Sequence, residues 1–187
     1  MQQAEELSFD ANAYLAWEET QTEKHEFMAG ETFAMVGARR EHVLVAGNFF
    51  AALKQRLRGT PCQTFIADMK LQVEAADAFF YPDIMVSCHQ DDRQAEQFLS
   101  HPTLIAEVLS DSTAAFDRGD KFAAYRSLAS LKEYVIVDIN ALRIECYRRT
   151  PDNEWLLHDY TGEENCEFSS LGITVPVAEI FEDVEHE

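Results

Sequence analysis

Two acidic residues stand where an acid is costly, and a carboxylate retained in such a place is a candidate for chemistry. Glu107 lies inside the apolar run Leu104-Ile105-Ala106-Glu107-Val108-Leu109, and Asp83 follows Pro82 and precedes Ile84-Met85-Val86. In a strand Glu107 shares a face with Ile105 and Leu109, so its carboxylate emerges among apolar neighbours. A buried carboxylate must find a cation, a proton or hydrogen bonds. Two of them on adjacent strands would offer oxygen donors to a hard divalent ion. Mg2+ is typically held by one or two protein carboxylates, with water and substrate phosphate completing its octahedron. Downstream, Asp117, Lys121 and Tyr125 recur at i, i+4 and i+8, along one face of a helix. If that helix packs beside the Glu107 strand, Lys121 reaches the carboxylate pair. Taken singly, each residue has a plainer reading: the acids as strand-end groups paired with arginine, and Lys121 as a solvated helix lysine.

Other reactive side chains form no recognisable arrangement. His25, His42, His89, His101, His158 and His186 show no H-E-x-x-H or other metal-ligand spacing, and most of them read as surface or capping residues. There is no G-x-S-x-G nucleophile element and no G-x-G-x-x-G or P-loop. Cys62, Cys88, Cys146 and Cys166 lack C-x-x-C spacing and are predicted to be reduced, mostly buried thiols. Tyr134, Trp155 and Tyr160 read as packing residues rather than base-stacking platforms.

The elements that must position the acids follow from periodicity. Asp10 is an N-cap for a short helix through Ala13, Tyr14, Leu15 and Trp17. His25–Val36 predicts two short strands turning at Ala29-Gly30. An amphipathic helix spans about Arg40 to Arg58, with Val43, Leu44, Phe50, Leu53 and Leu57 near helical spacing and Gly59-Thr60-Pro61 as its stop. Strands are predicted at Gln63–Ala67, Met69–Val73, Phe79–Val86, Thr103–Leu109, Tyr134–Ile139, Arg143–Tyr147 and Trp155–Tyr160, the last two antiparallel neighbours. Pro82, early in its run, suits an edge or strand entrance. A Ser/Thr/Asp-rich loop at Ser110–Asp117 leads to a helix around Arg118–Leu128, so that Thr103–Leu109 and Tyr134–Ile139 flank a βαβ-like crossover. Gly172–Val184 adds a strand and a helical turn.

Tyr81-Pro82-Asp83-Ile84, Ala106-Glu107-Val108-Leu109-Ser110, Asp117–Tyr125 with Asp120-Lys121, and Glu133-Tyr134-Val135-Ile136-Val137-Asp138 occur in that order. This series, with Lys24-His25-Glu26-Phe27, Gly30-Glu31 and His42, resembles the Uma-type family of predicted restriction endonucleases. That family is common in cyanobacteria and belongs to the PD-(D/E)XK nuclease superfamily. The resemblance runs from about Phe9 to Phe181. It implies an α/β fold, with a restriction-endonuclease-like mixed β-sheet flanked by helices and additional N-terminal and C-terminal β-hairpins. It also implies a divalent-metal-dependent endonuclease acting on DNA, with Asp83 and Glu107 as ligands of Mg2+ (or Mn2+). The usual lysine position, two residues after Glu107, holds Leu109, and the resemblance shifts the lysine to Lys121 on the following helix. Glu26, His42, Asp68 and Tyr125 are candidate supporting residues. Two other readings stay open: a nuclease fold that no longer cuts and acts as a binding module, and a hydrolase of RNA or another phosphodiester.

Bulk properties bound these readings. A chain of 187 residues suits one domain, with its core at about 20–180. Met1–Asp10 is acidic and polar, unlike a secretory signal, and no apolar run approaches a membrane span. A cytoplasmic protein with no membrane partner is therefore expected. The net charge of −19 argues against a tight nonspecific DNA binder, because phosphate contacts need Lys and Arg. The charge is concentrated at the ends, with eight acids and one base in residues 1–36 and eleven acids and no base in residues 151–187. Residues 37–150 are nearly neutral, with 15 acids and 14 bases, so any basic face comes from there. A homodimer is expected, since restriction-type nucleases commonly pair subunits to cut both strands and symmetric dimers are the commonest oligomers.

Overall fold

The structure is a computed structural model and describes residues 10–35 and 37–184. Phe9, Val36 and His186, which entered the sequence reading, lie outside the described residues, as do the rest of residues 1–9 and 185–187.

Thr103–Leu109 and the segment beginning at Glu133 are apolar enough to be covered on both faces, and they form the centre of the molecule. Strand β8 (Leu104–Val108) is buried at every position and pairs in parallel with β9 (Glu133–Asp138). On its other side β8 pairs antiparallel with β6 (Ile84–Ser87), which pairs with β3 (Gln63–Ile66). Strands β10 (Arg143–Arg149) and β11 (Trp155–Thr161) extend the far edge by antiparallel pairing, giving the six-stranded order β11-β10-β9-β8-β6-β3.

Alternation gives this sheet two apolar faces. Ile84, Val86, Leu104, Ala106, Val108, Val135 and Val137 face helix α2 (Arg40–Arg56). The helix presents Val45, Ala46, Phe49, Ala52 and Leu53, with the small residues allowing close approach to the strands. Its buried stripe is thus rotated from the one predicted, and Val43 is 59% exposed. The hairpin of β12 (Asn165–Phe168) and β13 (Ile173–Pro176), with α5 (Val177–Ile180), closes the same layer.

The opposite face, with Met85, Ile105, Tyr134 and Ile136, meets α4 (Asp120–Tyr125) and a second sheet. That sheet has the order β2-β1-β5-β4-β7, from β1 (His25–Met28), β2 (Glu31–Ala34), β4 (Lys70–Val73), β5 (Ala78–Phe80) and β7 (Phe98–Leu99). Ala29 and Gly30 turn β1 into β2 with φ of +50° and +91°, the two left-handed residues a tight hairpin needs. Helix α1 (Ala11–Glu18) starts as expected, with Asp10 accepting from the Ala13 N–H at 2.8 Å, and lays Tyr14 on Phe27 and Phe79.

Several expectations are corrected. The run Phe79–Val86 is two strands rather than one: β5 ends at Phe80 in the small sheet, and β6 begins at Ile84 in the large one. Pro82 lies in the corner between them, where its missing N–H interrupts no ladder. β3 and β4 likewise part into different sheets at Asp68, whose φ is +68°. The crossover helix starts earlier than predicted, at α3 (Ala114–Arg118), and breaks at Gly119 before α4. Finally, Cys62 and Cys88 form a disulfide rather than two thiols, because the antiparallel β3–β6 register sets the residues beyond Gln63 and Ser87 opposite each other. Cys146 and Cys166 are free and buried, as expected.

Candidate active site

The corner at Tyr81-Pro82-Asp83 releases two backbone N–H groups from any ladder, and each is taken by a carboxylate. Tyr81 N–H donates to Glu26 Oε1 at 3.0 Å, and Asp83 N–H donates to Glu107 Oε2 at 3.3 Å. Asp83 returns the contact: its Oδ2 accepts the Val108 N–H at 2.8 Å and lies 3.3 Å from His42 Nε2. Asp83, just before β6, and Glu107 in β8 are therefore linked to each other across the sheet. Alternation along β8 puts Glu107 on the α4 face, whereas Asp83, outside the strand, is met by His42 of α2.

The crossover supplies the rest. Despite the break at Gly119, Asp117 and Lys121 remain neighbours, and Tyr125 lies one turn further on. Lys121 Nζ is 3.0 Å from Glu107 Oε1, 3.0 Å from Glu26 Oε1 and 3.6 Å from Asp117 Oδ1. Tyr125 Oη donates to Glu107 Oε1 at 2.8 Å, and Tyr134 Oη donates to the Asp117 carbonyl at 2.9 Å. Glu26, Glu107, Asp117 and Lys121 are all buried.

The predicted set Asp83, Glu107, Lys121, Glu26, His42 and Tyr125 thus converges. Asp68 does not. It sits exposed at the β3–β4 turn, and no hydrogen bond or ion pair among the described residues ties it to the cluster. Asp117 shares the helical face read from the sequence and proves to be a fourth carboxylate of the site.

The charges are unbalanced, with four carboxylates around one lysine and one histidine. Burial raises the Glu107 pKa; Lys121 opposes this, while Asp117, Asp83 and Glu26 reinforce it. Asp117 is raised for the same leading reason, burial, against the pull of Lys121 and Thr113. Burial works against a charge on Lys121, but Glu107, Glu26 and Asp117 outweigh it, so the ammonium is retained. Burial also opposes a charge on His42, yet Asp83, the Val108 backbone and Asp117 raise its pKa overall.

Such a cluster fits a hard divalent cation. The hydrogen bond and the His42 contact to Asp83 both fall on Oδ2, and neither uses Oδ1. Carboxylate oxygens are the donors Mg2+ and Mn2+ prefer. The negative excess left after Lys121 is what a divalent ion or an added proton would relieve.

The mixed sheet with helices on its faces is a restriction-endonuclease-like α/β fold. It superposes on the crystal structure of a "putative nuclease belonging to DUF820" from Anabaena variabilis with a TM-score of 0.70 at 14% identity, over 86% of this chain and 91% of that one. Residues 11–178 match the family Uma2, described as "Putative restriction endonuclease", and the chain belongs to that family. Two relatives from Synechocystis sp. bear the names "Uncharacterized protein slr1290" and "Uncharacterized protein sll1609". The first is 34% identical over 168 residues, 90% of this chain and 88% of the relative. The second is 36% identical over 166 residues, 87% of this chain and 94% of the relative.

Proposed function

We propose that the protein is a divalent-metal-dependent endonuclease that hydrolyses DNA phosphodiester bonds. The observation that carries this is the Asp83–Glu107 pair, linked across the sheet with Lys121 Nζ 3.0 Å from Glu107. Asp83 and Glu107 would hold Mg2+ or Mn2+. Bound there, the ion would activate water and stabilise charge developing on the scissile phosphate. Lys121 fixes the Glu107 carboxylate and supplies positive charge beside the reacting phosphate, the role that Leu109 cannot fill from the usual position. Tyr125 orients the same carboxylate, while His42 and the Val108 N–H hold Asp83. Arg39 and Arg40, exposed at the start of α2 close to His42, suit approaching backbone phosphates. Cutting both strands of a duplex calls for two such sites, which a homodimer would provide.

The test combines calorimetry with a cleavage assay. Mg2+ and Mn2+ are titrated into the natural protein, Asp83→Ala and Glu107→Ala, with and without a short DNA duplex. The same proteins are then incubated with plasmid DNA and with RNA. Metal binding and DNA cleavage that both substitutions eliminate support the proposal. Failure to bind metal even with duplex present, or full cleavage by Glu107→Ala, would sink it. Cleavage confined to RNA would keep the site and reassign the substrate. The net charge of −19 favours a second reading, a non-cutting interaction module, and a fully tolerated Asp83→Ala change would support that instead.

A further inference from the structure

At the other end of β6 from Asp83, a second group of metal-ligating side chains comes together. His89 follows the end of β6, and His101 precedes the start of β8. Because these strands run antiparallel, with Val86 opposite Leu104 and the Thr103 N–H donating to the Val86 carbonyl at 2.7 Å, the two histidines meet. Their rings stack with centroids 4.1 Å apart, and Asp91 lies beside them. One ligand atom from each of His89, Asp91 and His101 falls within 4.8 Å of the other two.

We propose that His89, Asp91 and His101 form a binding site for a first-row transition metal of the Zn2+ type, separate from the carboxylate site. A second observation points the same way: the site has a supporting shell. Asp92 is buried, and its carboxylate accepts from Ser87 Oγ at 2.6 Å, Ser100 N–H at 3.0 Å and His101 N–H at 3.1 Å. Its Oδ1 also lies 3.4 Å from His101 Nδ1. A carboxylate on Nδ1 holds the proton there and leaves Nε2 with its lone pair outward, the arrangement that orients zinc-ligating histidines.

His89 would ligate through Nδ1, on the Asp91 side, giving up the hydrogen bond it now accepts there. Its Nδ1 accepts the Asp91 N–H at 3.3 Å and lies 3.7 Å from Asp91 Oδ2. Zn–N bonds of about 2.0–2.1 Å around a tetrahedral centre put ligand atoms roughly 3.4 Å apart. Because each imidazole ligates in its own ring plane, closing the site requires one of the stacked rings to turn out of the stack, which this exposed surface leaves room for. Three protein ligands leave a fourth position for water.

The donor set separates the two sites chemically. Imidazole selects Zn, Cu and Ni, whereas the oxygen-only cluster around Asp83 and Glu107 suits Mg or Mn. It separates them in space too, since about six residues of extended chain, or roughly 20 Å, lie between Asp83 and His89. A bound ion would tie the loop after β6 to the segment before β8, fastening both to the Asp92 anchor. The proposal does not depend on the nuclease reading.

The test uses the full chain after treatment with a chelator. Zn2+ is titrated calorimetrically, and Co2+ is added in parallel so that its visible absorption reports nitrogen ligation. About one equivalent of Zn2+ should bind the natural protein and raise its thermal midpoint. Asp83→Ala and Cys62→Ser/Cys88→Ser should retain that binding. His89→Ala and His101→Ala, whose side chains are 46% and 41% exposed and so tolerate truncation, should each weaken it at least about 10-fold. No Zn2+ binding by the natural protein would overturn the proposal. So would binding that survives both histidine substitutions, or that disappears with Asp83→Ala or with the two cysteines.

Discussion

Lys121→Met should destabilise the metal-free protein heavily, because it removes the cation that three buried carboxylates share. At an effective dielectric constant of about 20, each contact at 3.0 Å is worth roughly 5.5 kcal/mol of attraction, and Glu107 and Glu26 both stand at that distance. Desolvating the ammonium costs several kcal/mol, and the abandoned carboxylates recover part of the loss by taking up a proton. The net cost should fall near the 3–5 kcal/mol typical of breaking a buried pair from one side. For a chain of this size that lowers Tm by roughly 6–20 °C, at about 2–4 °C per kcal/mol. Thermal circular dichroism in EDTA measures it. Saturating Mg2+ should recover a larger fraction of stability in Lys121→Met than in the natural protein, since the ion would then be the site's main positive charge. A loss below about 1 kcal/mol in EDTA would refute the reasoning, because it would mean that the carboxylates are not charged around Lys121.

Three further outcomes concern other residues. Glu133 is 1% exposed and holds Arg148 Nε at 3.0 Å and the N–H groups of Ser169 and Ser170 at 3.0 and 3.3 Å, so Glu133→Ala should cost about 3–5 kcal/mol and speed hydrogen exchange across residues 165–176. Burial alone would raise the Glu145 pKa, but Arg118 and Arg143 outweigh it and hold it below the ordinary 4.5. A depressed folded pKa gives stability that is fully present above the unfolded value and lost as the pH falls through the folded one, so Glu145→Gln should lower Tm at pH 7 and flatten its decline below pH 4.5. Gly119→Ala places a Cβ 2.9 Å from the Ala115 carbonyl oxygen, and should cost about 1–3 kcal/mol in urea titration while disturbing Lys121 more than Asp83.

The parts of the fold and site legible in the sequence were those written in local pattern. β8 and β9 show as apolar runs because a covered parallel pair needs no polar face, and the helical spacing of Lys121 and Tyr125 survives the break at Gly119. Pro82 marks a strand entrance, but nothing near it tells that the chain changes sheets there, since the pairing partners of β5 and β6 are distant in sequence. Asp117 was visible only as a residue on the right face; its burial depends on where the crossover packs. The meeting of His89 and His101 and the Cys62–Cys88 bond come from strand register, which histidine and cysteine spacing do not encode. Asp68 differs: the family resemblance made it a candidate, and the structure places it exposed at a left-handed turn, away from the cluster.

The corner at Tyr81-Pro82-Asp83 makes the candidate site a joint between two bodies. Glu26 rides on the small sheet, Asp83 and Glu107 belong to the large one, and Lys121 bridges the gap as a clasp. Parting the sheets by an ångström or two would dismantle the cluster while leaving both ladders intact. Catalytic competence would then gauge how firmly the two sheets are seated. Loosening substitutions in the apolar seam between the sheets, among Leu71, Val73 and Leu131, would register in turnover before they register in melting.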